Sequence, residues 1–282
     1  MRPIDGGTSV IGQTGYGAGV RRLPVRARWF EARPVGDGVT RIDEPFVDPP
    51  LRSNAWLVSG AERDALIDCG TGIGRLRPAL DALRPMRRRP IAAIATHGHP
   101  DHIGSLYEFD ERLCHRLEAS MVTASDVAAP LVPEAYDDGD RRAMAEARFA
   151  PSDLTVTAVP REDFDPATFE ISRAAPTRTV EDGDVVDLGS RILRVVHLPG
   201  HTHGSVAALE ERTGLLFSGD TLFHAPVSPV EQADIEAHVA SLQRLRELPV
   251  RIVHGGHGPS FGGAAVALRV DEDVARCETW SG

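Results

Sequence analysis

Apolar residues in this chain come in short runs. Asn54-Ala55-Trp56-Leu57-Val58 and Ala65-Leu66-Ile67 are two of them, separated by a turn-like stretch from Gly60 to Asp64. Runs of this length bounded by turn residues predict strands. Apolar positions at helical spacing predict a helix from Ile73 to Leu83, and Pro85 and Pro90 bound the turn that follows. Ile91-Ala92-Ala93-Ile94-Ala95 predicts a buried strand that leads straight into Thr96-His97. Further strands are expected at Val185–Leu188, Ile192–Leu198, Ser205–Leu209 and Leu215–Phe217. An amphipathic helix is expected over Ala233–Leu248, a last strand at Val250–Val253, and a closing helix from about Gly263. Strand groups with interspersed helices predict a layered α/β architecture.

Two stretches are patterned differently. Residues 1–20 are rich in Gly and Thr, and the basic segment Arg21–Arg28 precedes Trp29-Phe30. Residues 1–28 are therefore expected to be a flexible N-terminal tail and lead-in. Residues 29–282 are expected to form one domain, since no linker divides them. Within it, about 120–179 has weak patterning, with Arg141–Arg148 helix-like and prolines elsewhere. It reads as an insertion that roofs the site and selects the substrate. Its apolar residues Leu131, Val132, Phe149, Phe164 and Phe169 offer an acyl pocket, but most are expected to bury against the rest of the domain.

Composition narrows the classes. A length of 282 residues with 41% hydrophobic and 26% charged positions suits one large globular domain. A formal net charge of −10 argues against a nucleic-acid partner. No apolar run approaches the ~18 residues of a membrane span. Three scattered cysteines without C-x-x-C spacing suggest a reducing compartment. With no signal-peptide pattern, a cytoplasmic location is the expectation. The chain has no lysine. That excludes Schiff-base, pyridoxal-phosphate and phosphate-loop chemistry that depends on one.

The chemistry concentrates in Thr96-His97-Gly98-His99-Pro100-Asp101-His102. On a strand exit, His97 and His99 can point the same way, because side-chain direction repeats every two residues. Asp101 and His102 fall at the start of the next helix and can aim at a neighbouring point. Three more segments end a predicted strand with a ligand-type residue: Leu198-Pro199-Gly200-His201, Phe217-Ser218-Gly219-Asp220, and Ile252-Val253-His254-Gly255-Gly256-His257. Ile67-Asp68-Cys69-Gly70 ends another with an acid. Histidines and aspartates gathered at a half-buried point need a cation between them. Imidazole and carboxylate ligands suit zinc, with iron or manganese as alternatives.

These segments, in the order IDCGTG, THGHPDH, LPGHTHGS, SGDTLF and GGHGPS, resemble the signature segments of the metallo-β-lactamase superfamily. The resemblance runs from about Trp29 to the C-terminus. It implies a four-layer αββα sandwich, with the site at one edge between two sheets. It also implies two divalent metal ions, zinc first. His97, His99 and His201 would bind one, Asp101, His102 and His257 the other, with Asp220 bridging and Asp68 orienting ligands. His254 is the fallback for His257, because the last segment departs from the usual Pro-Gly-His. Asp101, Asp68 and Asp220 are the residues expected to act in catalysis. The implied chemistry is a hydrolase with a bridging hydroxide, since two ions ~3.5–4 Å apart lower the pKa of a shared water from about 15.7 toward ~7.

Asp220 stands where lactamase branches commonly carry Cys or Ser, so it resembles the thioesterase and lactonase branches. Glyoxalase-II-type members append a helical domain after the last ligand, and only 25 residues follow His257. The segments Arg52–Val58, Gly104–Asp110 and Val180–Val185 resemble single-domain acyl-CoA thioesterase-like members. Acyl thioester hydrolysis is therefore the first expectation. Lactone, ester or β-lactam-like amide hydrolysis comes second, and a mononuclear iron sulfur dioxygenase is the reading from another class. The expected partner is a small-molecule substrate, with no nucleic acid and no membrane, and a homodimer is left open. His203, His224 and Tyr107 are weaker candidates near the site. His115, His197 and His238 are expected to be structural or solvated, and Cys69 to be a packed residue.

Overall fold

The computed structural model describes residues 22–84, 89–124, 127–128, 131–132, 135–136, 138, 155–225 and 234–280. In chain order the strands are β1 (Glu31–Gly36), β2 (Val39–Asp43), β3 (Ala55–Val58), β4 (Asp64–Ile67), β5 (Ile91–Ile94), β6 (Glu111–His115), β7 (Val127–Ala128), β8 (Glu170–Ile171) and β9 (Arg178–Val180). They continue with β10 (Val185–Asp187), β11 (Ile192–His197), β12 (Val206–Glu210), β13 (Leu215–Gly219), β14 (Ile252–Gly255) and β15 (Phe261–Gly262). The described α-helices are α1 (Leu76–Leu83), α2 (Pro100–Ile103), α3 (Ala119–Thr123), α4 (Ile235–Arg246) and α5 (Ala264–Trp280).

Two large sheets result. One has seven strands in the order β1-β2-β3-β4-β5-β6-β9, and the other six in the order β10 to β15. Alternation along the strands assigns their faces. Trp56, Val58, Ala65, Ile67, Ala92 and Ile94 point inward from the first sheet, against Leu193, Val195, Val206, Ala208, Leu215 and Phe217 of the second. The Trp56 and Phe217 rings meet across the gap with centroids 6.3 Å apart. The opposite faces are also apolar, which is why these strands read as continuous hydrophobic runs. Leu57, Leu66 and Ala93 pack outward against Leu76 and Leu80 of α1 and against Ile103, Leu106 and Phe109. Val196, Ala207, Leu209 and Leu216 pack outward against Leu242 and Leu245 of α4 and Val270 of α5. Helix, sheet, sheet, helix is the expected αββα sandwich, and each fully buried large aliphatic side chain contributes about 1.5–3 kcal/mol to it.

Within both sheets, a parallel pair follows an antiparallel meander. β4 and β5 run parallel with α1 between them in sequence, as do β13 and β14 with α4 between them. The expected helix from Ile73 begins later, at Leu76, and the expected strand at Val250 begins at Ile252. The β1–β2 hairpin, β6 and β9 were not legible in the apolar pattern. β1 is an edge strand with Pro34 and mostly exposed residues, the setting in which a strand tolerates proline.

Of the expected tail, residues 1–21 lie outside the described residues. Its last part is paired: Arg26 N–H donates to the Val159 carbonyl at 2.8 Å, and Val159 N–H to the Pro24 carbonyl at 3.0 Å. The expected helix at 141–148, and Phe149, also lie outside. Leu131, Val156, Val159 and Phe164 form an apolar cluster with Trp29, Val47 and Ile73, and Phe169 packs on it. Val132 is buried as well. No described helix is long and apolar enough to cross a membrane.

Candidate metal centre

Every expected ligand leaves the C-terminal end of a strand. Asp68 follows β4; His97, His99, Asp101 and His102 follow β5; His201 follows β11, Asp220 follows β13, and His257 follows β14. Parallel strands present their ends on one side, so the loops converge in a crevice there, the usual place for a site in α/β sheets.

The side chains meet in two adjacent groups. His99 Nδ1 lies 3.0 Å from His97 Nε2 and 2.9 Å from His201 Nε2. Asp101 Oδ2 lies 3.3 Å from His102 Nε2 and 3.4 Å from His257 Nε2. Asp220 faces both groups: Oδ1 is 3.5 Å from His102 Nε2, while Oδ2 is 3.4 Å from His257 Nε2 and 3.6 Å from His201 Nε2. In each of the triads His97–His99–His201, His97–His102–Asp220 and Asp101–His102–His257, the ligand atoms lie within 4.8 Å of one another. His99, Asp101 and His257 are half-buried and form the open side, whereas His97, His102, His201 and Asp220 are buried.

Burial and charge pull the two groups in opposite directions. Burial pushes His201 down to about 3, and burial together with the neighbouring imidazoles, His102 foremost, holds His97 well below the ordinary imidazole value. Burial also opposes the charged form of His102. The carboxylates of Asp101, Asp220 and Asp68 outweigh it and raise His102 well above its usual value. His257 is raised in the same way, chiefly by Asp220. Asp101 and Asp220 are correspondingly held below the carboxylate range by His102 and His257, against the effect of burial.

The site fits divalent cations. Among the described residues, His102 Nε2 and Asp220 Oδ1 are buried atoms without a hydrogen-bond partner, and such atoms are costly unless something pairs with them. Gly256 closes over this point, where a Cβ would stand 2.1 Å from Asp220 Oδ1 and 2.8 Å from His102 Cε1. All the donor atoms are imidazole nitrogens and carboxylate oxygens, the set that zinc, iron and manganese share.

The expected ligands are held from behind. Asp68 accepts from Thr96 N–H at 2.8 Å and Thr96 Oγ1 at 2.9 Å, and pairs with His102 Nδ1 at 2.9 Å. It does so from a left-handed backbone, φ 58°, uncommon for a residue other than glycine. His257 Nδ1 donates to the Arg52 carbonyl at 3.1 Å. Asn54 donates its side-chain amide to the carbonyls of Gly255 and Gly258, and Trp56 Nε1 to that of Gly255. The start of β3, in the first sheet, thus fixes the His257 loop of the second.

The weaker candidates separate clearly. His254 is buried away from the cluster, between Trp56 and Phe217, with Nδ1 2.7 Å from Ser260 Oγ. His257 is the histidine of that segment in the site. His203 and His224 are exposed. Tyr107 lies in a separate 3₁₀ turn, Leu106–Glu108. His115 stacks on His197 at 4.2 Å, and Cys69 belongs to the core. Sequence reasoning missed Thr96, Asn54 and Arg52, which lie beside or within motifs already noticed.

A family model described as the metallo-beta-lactamase superfamily matches residues 48–257. The chain belongs to this superfamily. Among known proteins, the acyl-coenzyme A thioesterase MBLAC2 of Gallus gallus is 35% identical over 245 residues, which cover 83% of this chain and 82% of that protein. A hydroxyacylglutathione hydrolase of Vibrio cholerae serotype O1 is 28% identical over 77% of this chain and 66% of its own. Of solved structures, TTHA1623 in a di-iron-bound form matches with a TM-score of 0.52 and 27% identity, covering 79% of this chain and 96% of that one. The superfamily's fold and hydrolase class therefore apply to this chain.

Proposed function

We propose that this hydrolase cleaves acyl thioesters, with acyl-coenzyme A-type compounds as the first substrate class, at a centre of two divalent metals. The observation that carries the reading is the pair of adjacent ligand groups sharing Asp220. The likeness to a thioesterase over 83% of the chain supports the substrate class. His97, His99 and His201 would hold one ion, Asp101, His102 and His257 the other, and Asp220 would face both. Bound there, such ions supply Lewis acidity and a water ionised near neutral pH.

The chain's own residues then set the outcome. Asp68 fixes the His102 ring through Nδ1 and leaves Nε2 turned toward Asp101 and Asp220. Arg52 does the same for His257. Asp101, on the open side, is the carboxylate that would take up a proton beside the substrate. As metal ligands Asp101 and Asp220 would be ionised, so neither would begin the reaction holding a proton for a poor leaving group. A thiol leaving group, with a pKa of about 8.5, needs little such help. This favours thioesters over amides.

The test is metal content of protein purified without added metal, beside His102→Ala and Asp220→Ala, with free-thiol release from acyl-CoA as the activity. About two ions per chain, reduced in both variants along with thiol release, is the expected result. One iron per chain, retained in His102→Ala and accompanied by oxygen uptake, would overturn the reading in favour of a sulfur dioxygenase.

A further inference from the structure

We propose that Glu118 is a positioning residue for this centre, clamping the loop of His97 and His99 to the loop of His201. The inference rests on the two-metal reading above. Glu118 is 2% exposed and ends a 3₁₀ turn, Arg116–Glu118, directly after β6. Its Oε2 accepts from Gly98 N–H at 2.8 Å, and its Oε1 from Gly204 N–H, also at 2.8 Å. Gly98 stands between two expected ligands of the first group, and Gly204 lies three residues past the third. One loop comes from each sheet, and the carboxylate joins them.

The surroundings are built to this carboxylate. A Cβ at position 204 would stand 2.6 Å from Glu118 Oε1; one at position 98 would stand 3.0 Å from Oε2 and 2.7 Å from Met121 Sδ. Both backbones can approach only because they carry glycine. A second tether reaches the same loop: His197 Nε2 donates to the His203 carbonyl at 2.9 Å, while the His197 ring stacks on His115, the last residue of β6. β6 and its following turn therefore hold the His201 loop at two places.

The chemistry requires a carboxylate. Two N–H donors approach from different segments, and only a group with two acceptor oxygens satisfies both. Glutamine has nearly the same shape but offers one acceptor and turns an NH₂ toward the other N–H. Aspartate keeps both oxygens but is one methylene shorter.

The experiment compares wild type, Glu118→Gln and Glu118→Asp by zinc–chelator competition, thermal melting of the metal-free protein, and kcat and KM for an acyl-CoA. Removing groups that orient metal ligands typically costs about 10–100-fold in metal affinity. That loss is expected in Glu118→Gln, with kcat falling more than KM changes and both variants still melting cooperatively. A Glu118→Gln protein that binds zinc as wild type does, whatever its melting temperature, would overturn the proposal and leave Glu118 a packing residue. If Glu118→Gln does not fold, Glu118→Asp decides by the same criterion. Wild type that binds no zinc would instead sink the underlying two-metal reading, so the two failures are distinguishable.

Discussion

Replacing Asp68 by asparagine isolates the charge behind His102. Asparagine tolerates the left-handed backbone at φ 58° better than most residues, so the main change is chemical. Asp68 Oδ1 accepts from Thr96 N–H, while Oδ2 accepts from Thr96 Oγ1 and pairs with His102 Nδ1. An amide has only one acceptor for these two places. With its oxygen toward His102, the NH₂ faces Thr96 N–H. With its oxygen toward Thr96 N–H, the NH₂ donates to His102 Nδ1 and drives the ring proton to Nε2, the nitrogen that faces Asp101 and Asp220. A ring protonated there cannot ligate. Losing one charge-assisted hydrogen bond costs about 1.5–3 kcal/mol, in line with the roughly 10–100-fold metal-affinity losses found for such partners. Chelator competition should therefore show Asp68→Asn binding metal about 10–100-fold less tightly, with the metal-free protein still folded. Wild-type affinity in Asp68→Asn would refute the claim that this carboxylate sets the His102 tautomer.

Two further outcomes follow from the histidines. His257→Ala should lose metal and activity, whereas His254→Phe should keep its full metal content, because His254 sits between Trp56 and Phe217 and touches no ligand group; elemental analysis of both decides, and loss of metal in His254→Phe would refute the assignment. Burial pushes His238 and His254 down to about 4 each, while the unfolded value is about 6.5. Between those values the unfolded chain binds protons the folded one does not, so this stability is fully present above pH ~6.5 and is lost as the pH falls toward 4. Neither His238 ring nitrogen has a hydrogen-bond partner among the described residues. His238→Leu should therefore raise the melting temperature, by about 2–4 °C per kcal/mol recovered, and flatten its decline below pH ~6.5. A decline as steep as wild type would refute this.

The site was legible because its chemistry is local in sequence. Five residues of the expected ligand and orienting set lie within Asp68–His102, and each of the others shortly follows a strand. The sandwich was legible because strands covered on both faces are apolar throughout, as in β3, β4 and β5. Strands stabilised otherwise were not. β1 has one neighbour and much exposed surface, so its residues need not be apolar. β6 reads Glu-Arg-Leu-Cys-His, and its polar members are held by partners distant in sequence: Arg63 pairs with Glu111, and Glu181 with His115. The same cause hid Glu118, whose partners Gly98 and Gly204 lie on loops that local pattern does not bring side by side.

The order of strands has a consequence for how such a site is assembled. β2-β3-β4-α1-β5 and β11-β12-β13-α4-β14 share one design: two antiparallel pairings, then a helical crossover to a parallel strand. Asp68 directly follows β4 as Asp220 directly follows β13, and histidines follow β5 as they follow β14. The two halves thus repeat one supersecondary unit, although no repeat stands out in the sequence. Their corresponding acids have diverged, one turned to steady an imidazole and the other turned into the cluster. Each half brings only part of the ligand set, and the centre lies on the seam. Neither unit carries the whole expected set, so the centre exists only once the two sheets have closed on each other.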